Sequence, residues 1–147
     1  MAHSDEPGIS GVHHLSLTVT DLATSIAWYQ RVFRTQRLDV VIPHHDCEET
    51  GFSVLLPEPR SGLIIGLHRN TGNRGEHFDE ARTGMDHVSF GVSGRDELLG
   101  WTRWLDELGV EHTGVVDETE PIVYSTVVFR DPDNIQLELI ALPESER

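Results

Sequence analysis

An α+β domain made of one βαβββ unit taken twice is the fold that this 147-residue sequence predicts. Three observations carry the prediction. The stretch GVHHLSLTVTD at 11–21 returns as GMDHVSFGVSG at 84–94, so that His14 matches His87, Ser16 matches Ser89 and, further on, Trp28 matches Trp101, each at the same offset. Both stretches alternate apolar and polar residues as half-buried strands do. Each is followed by a segment of helical period and then by short β-rich runs broken by turn residues.

The elements follow in order. Leu15, Leu17 and Val19 share one face of the first strand, leaving His14, Ser16 and Thr18 on the other; Val88, Phe90 and Val92 stand against His87, Ser89 and Gly91 in the second copy. Asp21 is placed to cap a helix over residues 22–33, whose Leu22, Ile26, Tyr29 and Phe33 recur at three- and four-residue spacing. Strands are expected at 37–42, 52–56 and 63–68, with the polar HHDCEETG between the first two as a turn. Residues 70–84 lack a sheet period and read as a connection, with a short helical turn in HFDEAR. The second unit then repeats the order, with a strand at 86–92, a helix at 95–108 closed by Gly109, and strands at 113–116, 122–130 and 135–142. Asp-Pro-Asp-Asn at 131–134 joins the last two as a hairpin. One domain over 11–142 is thus expected, with modules at 11–69 and 85–142 and polar tails at 1–10, where His3 is expected to be exposed, and at 143–147.

A net charge of −14 disfavours nucleic acid and anionic membranes as partners, and no apolar run is long enough to span a bilayer. The single cysteine, Cys47, cannot form an internal bridge, and its acidic neighbours discourage thiolate chemistry; this usage fits the cytoplasm.

Chemistry concentrates on the polar strand faces. In the last strand Ile135, Leu137 and Leu139 form the apolar side and Glu138 projects from the other, where a carboxylate is costly unless paired or bound to a cation. With His14 and His87 it makes a two-histidine, one-carboxylate set that leaves coordination positions open. Taken singly, each of the three reads more simply as a satisfied strand residue; the duplication and the shared face parity favour the set. Tyr124 and Thr126 alternate with Ser125 and Val127, so that one pair is a candidate to face the site; Tyr124 is a candidate to orient a substrate oxygen, against the simpler reading of an aromatic at a strand start. His77 and Phe78 are candidates to close over a ligand. His44, His45 and Asp46 read as a solvated turn, His13 as a neighbour pointing away from His14, His112 as a surface residue, and the three tryptophans as core.

Through VHHLSLTVTDLATSIAWY, MDHVSF and FRDPDNIQLEL the chain resembles the vicinal oxygen chelate superfamily, the glyoxalase, bleomycin-resistance and extradiol dioxygenase group, over about 11–142. The resemblance implies paired modules whose curved mixed sheet encloses a metal-binding cavity, with ligands falling on His14, His87 and Glu138. It implies a divalent ion, Fe(II) or Mn(II) first and Zn(II) or Ni(II) next, a small-molecule substrate and a homodimer. At the fourth ligand position the chain has Gly66, which can neither coordinate nor act as a base, so a plain glyoxalase I assignment is disfavoured. His68, two residues on along the same face, is the candidate acid, base or displaced ligand, against the simpler reading that it lines the cavity mouth or meets solvent. The expected function is metal-dependent oxygenation of a small oxygenated metabolite held by two oxygens, slightly ahead of glyoxalase-like lyase, isomerase or epimerase chemistry. Two other classes stand against it: a bleomycin-resistance-like protein that sequesters an aromatic toxin, and an interaction module with a vestigial site.

Overall fold

The computed structural model describes residues 7–143; His3 and the outer parts of both expected tails lie outside the described residues. Among the described residues twelve elements of regular structure run β1 (His14–Thr18), α1 (Leu22–Phe33), β2 (Val41–Pro43), two single 3₁₀ turns (His44–Asp46 and Glu48–Thr50), β3 (Gly51–Pro57), β4 (Ile64–Asn70), β5 (Val88–Gly91), α2 (Arg95–Leu108), β6 (Val116–Glu118), β7 (Tyr124–Arg130) and β8 (Gln136–Ala141). The order βαβββ thus occurs twice. Each unit forms its own four-stranded mixed sheet, β1-β4-β3-β2 and β5-β8-β7-β6, in which the first strand pairs in parallel with the last.

Both helices keep the expected limits, for local reasons. Asp21 accepts from Thr24 N at 2.8 Å, satisfying one of the free N–H groups of the first turn. Gly109 closes α2 in the left-handed conformation (φ 66°). At the equivalent end of α1 the left-handed residue is Arg34 (φ 54°), for which the sequence carried no glycine signal.

The outer strands differ from expectation. The strand expected at 37–42 pairs only over Val41–Pro43, because it is the sheet's edge: Leu38 makes one backbone bond to Leu55 O, and Leu38, Val40, Val41 and Ile42 remain exposed. Pro43 is tolerated there since an edge strand does not need every N–H. The strand expected near 113–116 starts instead at Val116, after a single bridge from His112 to Phe129 and a left-handed Gly114 (φ 72°). His112 is not a surface residue; its side chain is 11% exposed and contacts Asp106 at 3.1 Å. Within HFDEAR there is a turn rather than a helix.

One core serves both modules. The backs of both sheets (Leu17, Val54, Leu56, Ile65 and Leu67 from the first, Val127, Phe129, Leu137 and Leu139 from the second) are buried together with Tyr29, Val32, Leu98 and Leu105 of the helices. Phe33 carries α1 across the junction, with ring centroids 5.2 Å from Phe90, 5.8 Å from Trp101 and 6.2 Å from Phe129. Trp104 donates from Nε1 to Val32 O at 2.9 Å. Polar ties run beside these contacts. Tyr29 OH donates to Asp131 at 2.9 Å, Thr20 N donates to Asp133 at 3.0 Å, and Thr20 Oγ1 donates to the same carboxylate. The turn 131–134 is therefore more than a hairpin link, since its two aspartates clasp the first module.

Burial, opposed by N–H donors from Ile135 and Asp133 and by the Tyr29 hydroxyl, pushes the Asp131 carboxyl up to about 6. The folded state holds this proton more tightly than the unfolded chain, so the stabilisation is present below about pH 4 and is lost as pH rises through about 6. Urea midpoints across that window should show wild type losing on the order of 2 kcal/mol relative to Asp131→Asn; parallel curves for the two proteins would contradict this assignment. Tyr29→Phe, which strips a buried acceptor of its donor, is expected to cost about 1–3 kcal/mol at neutral pH.

Candidate metal centre

The second module's outward face carries the more complete half of the expected ligand set. Strand register places Ser89 beside Glu138 and Val128 on the latter's other side. Glu138 is 19% exposed, accepts from Ser89 Oγ at 2.6 Å and lies 3.9 Å from His87 Nε2. Among the described residues it meets no arginine or lysine; the His87 ring is the titratable group beside it. His87 in turn directs Nδ1 at Asp86 Oδ1, 2.6 Å away. A carboxylate accepts, so Nδ1 carries the proton and Nε2 presents its lone pair on the Glu138 side.

His14 repeats this arrangement on the first module. Its Nδ1 lies 3.0 Å from Nδ1 of His13, leaving Nε2 free. Anchoring of the second ring nitrogen is what orients a metal-binding imidazole. Ser16 stands where Ser89 stands, and Gly66 stands beside it where Glu138 would be. A Cβ built on Gly66 would meet Ser16 Oγ at 2.7 Å, so the serine hydroxyl fills the place from which a fourth ligand would grow.

The two halves do not meet within one chain. His14 lines a bowl of about 640 Å³ whose walls all belong to the first module, and among the described residues no three His, Cys, Asp or Glu side chains converge to hold an ion. The expectation that a single chain's duplicated strands bring both imidazoles to one place is therefore corrected. The physical reason is the shared core, which takes the apolar back of each sheet and leaves both histidine faces outward.

The remaining candidates divide. His68 is in the bowl with His14, in register with Thr18 on one side and Ser53 on the other. Burial, and then the nearby imidazoles of His44, His45 and His14, lower its proton affinity. Tyr124 and Thr126, rather than Ser125 and Val127, share the face of Glu138, since Thr126 pairs with Ile140 and Val128 with Glu138. Phe78 packs on the core, its backbone bonded in both directions to the 131–134 turn through Asp133 O and Asn134 Nδ2, while His77 is exposed. The connection is further fastened by Glu80, which takes two bonds from Arg130 at 2.6 and 2.9 Å. Phe78 is thus fastened to the 131–134 turn, with His77 exposed beside it. Sequence reasoning missed Asp86 and Ser89 as partners of the ligands, although the Ser16–Ser89 match was the signal. The turn at His44–Asp46 is solvated as expected, with His45 and Asp46 exposed, and it also lines the bowl.

An internally duplicated α+β protein with an anchored histidine at the same position of both sheets is the class that this geometry defines. The chain belongs to the Glyoxalase/Bleomycin resistance protein/Dioxygenase superfamily, whose family model matches residues 11–139. It is similar to the protein named "Putative ring-cleaving dioxygenase MhqA" of Bacillus subtilis, at 28% identity over 98 residues, 67% of this chain but only 30% of that protein's length. It is similar to the metallothiol transferase FosB of Bacillus licheniformis at 25% identity, over 89% of this chain and 75% of that one. Among solved structures, a glyoxylase/bleomycin resistance protein/dioxygenase domain from Frankia sp. EAN1pec superposes with a TM-score of 0.80 at 32% identity, covering 95% of this chain and 96% of that one. The fosfomycin resistance protein FosX of Listeria monocytogenes, as a mutant complexed with Mn(II) and 1S,2S-dihydroxypropylphosphonic acid, shares the fold with a TM-score of 0.65 at 21% identity, over 94% of this chain and 96% of that one.

If Ser89 serves to aim Glu138, Ser89→Ala should fold normally and weaken divalent-ion affinity about 10- to 100-fold by isothermal titration. Unchanged affinity would remove Ser89 from the centre.

Proposed function

We propose that the chain is a divalent-metal-dependent enzyme acting on a small oxygenated metabolite, with each centre built from two copies of the chain. His14 comes from one copy; His87 and Glu138 come from the other. The carrying observation is that both histidines have Nδ1 engaged and Nε2 free, while Glu138 sits on a half-buried face with no arginine or lysine among the described residues to neutralise it. Two nitrogens and one oxygen donor suit Fe(II) or Mn(II) first, and Zn(II) or Ni(II) next.

A homodimer follows from the split. Both ligand faces are open, and exposed apolar residues stand at the edge of each sheet or in the chain next to it, Val40, Val41 and Ile42 by the first and Val116, Ile122 and Val123 by the second. Laying one copy's first sheet over the other's second sheet covers these residues and completes two equivalent centres by one two-fold operation.

When bound, the ion supplies Lewis acidity to a chelated substrate and, as Fe(II), open positions for dioxygen. The chain's own groups do the rest. Ser89 and Asp86 fix the ligands. Tyr124 and Thr126 share Glu138's face and orient a substrate oxygen. His68, kept neutral at physiological pH by burial, accepts a proton from the substrate at one ring nitrogen. With Ser16 in the place of a fourth ligand, no carboxylate base faces the substrate from β4, which favours oxygenation; the likeness to MhqA supports the same reading. The likeness to FosB, over most of this chain, keeps lyase or transferase chemistry as the second reading.

Protein purified without a histidine tag and reconstituted anaerobically with Fe(II), Mn(II), Zn(II) or Ni(II) is expected to retain the ion, and His87→Ala or Glu138→Ala to lose it. A catechol panel should then give oxygen uptake with the Fe(II) or Mn(II) form; product formed without oxygen from 2-oxoaldehydes or epoxides with thiols would select the second reading. Failure of the wild type to retain any ion would move the assignment to metal-free sequestration.

A further inference from the structure

Five of the nine histidines of this chain gather in the bowl on the first module, where Asp46 is the one carboxylate among the described wall residues. That composition reverses the rest of the molecule, which has 25 acidic residues against 11 basic.

Local structure explains how two of the five arrive. Pro43 ends the edge strand and sends the chain into the turn His44–Asp46, where His45 (φ 48°) and Asp46 (φ 58°) both adopt the left-handed conformation. Neither is glycine, so each costs on the order of 1 kcal/mol that an ordinary solvated turn would not need. The result folds the chain back over the bowl. The rings of His44 and His45 lie 4.3 Å apart, and His44 meets His68 edge-on at 5.6 Å. His44 is held by its Nδ1, 3.0 Å from Thr50 Oγ1, which leaves Nε2 as its second ring nitrogen for a ligand.

These imidazoles surround a space instead of converging on a point, since among the described residues no three of them are arranged to hold an ion. They therefore suit a ligand several atoms across. Imidazole N–H groups, that of His44 in the tautomer whose Nδ1 accepts from Thr50 Oγ1, and the hydroxyls of Ser16, Thr18 and Ser53 offer donor hydrogens, while Ile42, Leu55 and Ile64 supply an apolar wall. A volume of about 640 Å³ takes a small metabolite.

We propose that His44, His45 and His68 bind the oxyanion end of the substrate, a carboxylate, phosphate or phosphonate carried on a short carbon skeleton. This deepens the proposed function by naming the substrate class, and it rests on that reading only in setting the bowl beside the metal centre; the anion contact belongs to the first module alone.

The test uses the full chain freed of metal with EDTA. Near neutral pH, and at ionic strength held constant with chloride, inorganic phosphate and acetate are titrated separately while the imidazole signals, assigned with His44→Gln, His45→Gln and His68→Gln, are followed by NMR. Saturable shifts of all three signals at roughly millimolar anion are expected, weakened about tenfold in His44→Gln or His45→Gln variants with native circular dichroism. Saturation by acetate alone assigns a carboxylate, by phosphate alone a phosphoryl group, and by both the shared oxyanion. Shifts that rise linearly, that chloride reproduces, or that survive both substitutions overturn the proposal. Because no metal is present, these outcomes are independent of whether the ion-retention experiment succeeds.

Discussion

Burial of the aromatic edge of α1 against the back of the second sheet is the constraint from which the rest of the structure follows. Phe33 reaches Phe90, Trp101 and Phe129 across the junction, and Tyr29 and Thr20 secure the same side through Asp131 and Asp133. Each sheet has one apolar face, and this packing consumes both. What is left to solvent is the pair of polar faces, which carry the histidines. Under the proposed function, the same contact that makes the monomer stable also leaves each centre to be completed by a second copy.

The two faces have diverged unequally. In the second module Ser89 donates to a carboxylate that is half withdrawn from water; in the first the equivalent serine fills the space left by a glycine. The first face instead gained ring nitrogens from β4 and from the turn after β2. One face therefore holds negative charge suited to a cation and the other holds hydrogen-bond donors. A substrate chelated by one end and held as an anion by the other would use both.

Much of this was legible in the sequence because it depends on local period and repetition. Alternation along the two matched strands assigned the faces of His14 and His87, alternation along the last strand that of Glu138, and the helix limits followed from Asp21 and Gly109. The alignment of Gly66 with Glu138 is the pairing the register shows, Ser16 beside one and Ser89 beside the other. What could not be read was set by contacts between distant segments. No periodicity says which side of a sheet a second module will cover, so the separation of His14 from His87 was invisible. The turn at His44–Asp46 depends on two left-handed non-glycine residues, a conformation for which composition gives no signal. Phe78 looked free because its tether to the 131–134 turn is made by backbone groups that every residue possesses.

If each centre is shared between copies, mixing two defective chains tests the sharing most directly. His14→Ala and Glu138→Ala proteins, each expected to retain no ion alone, are unfolded together, refolded and separated as the mixed dimer. In that dimer one centre joins the intact His14 of one chain to the intact His87 and Glu138 of the other, so about one ion per mixed pair should be retained. A mixed dimer as empty as its parents would contradict the shared centre.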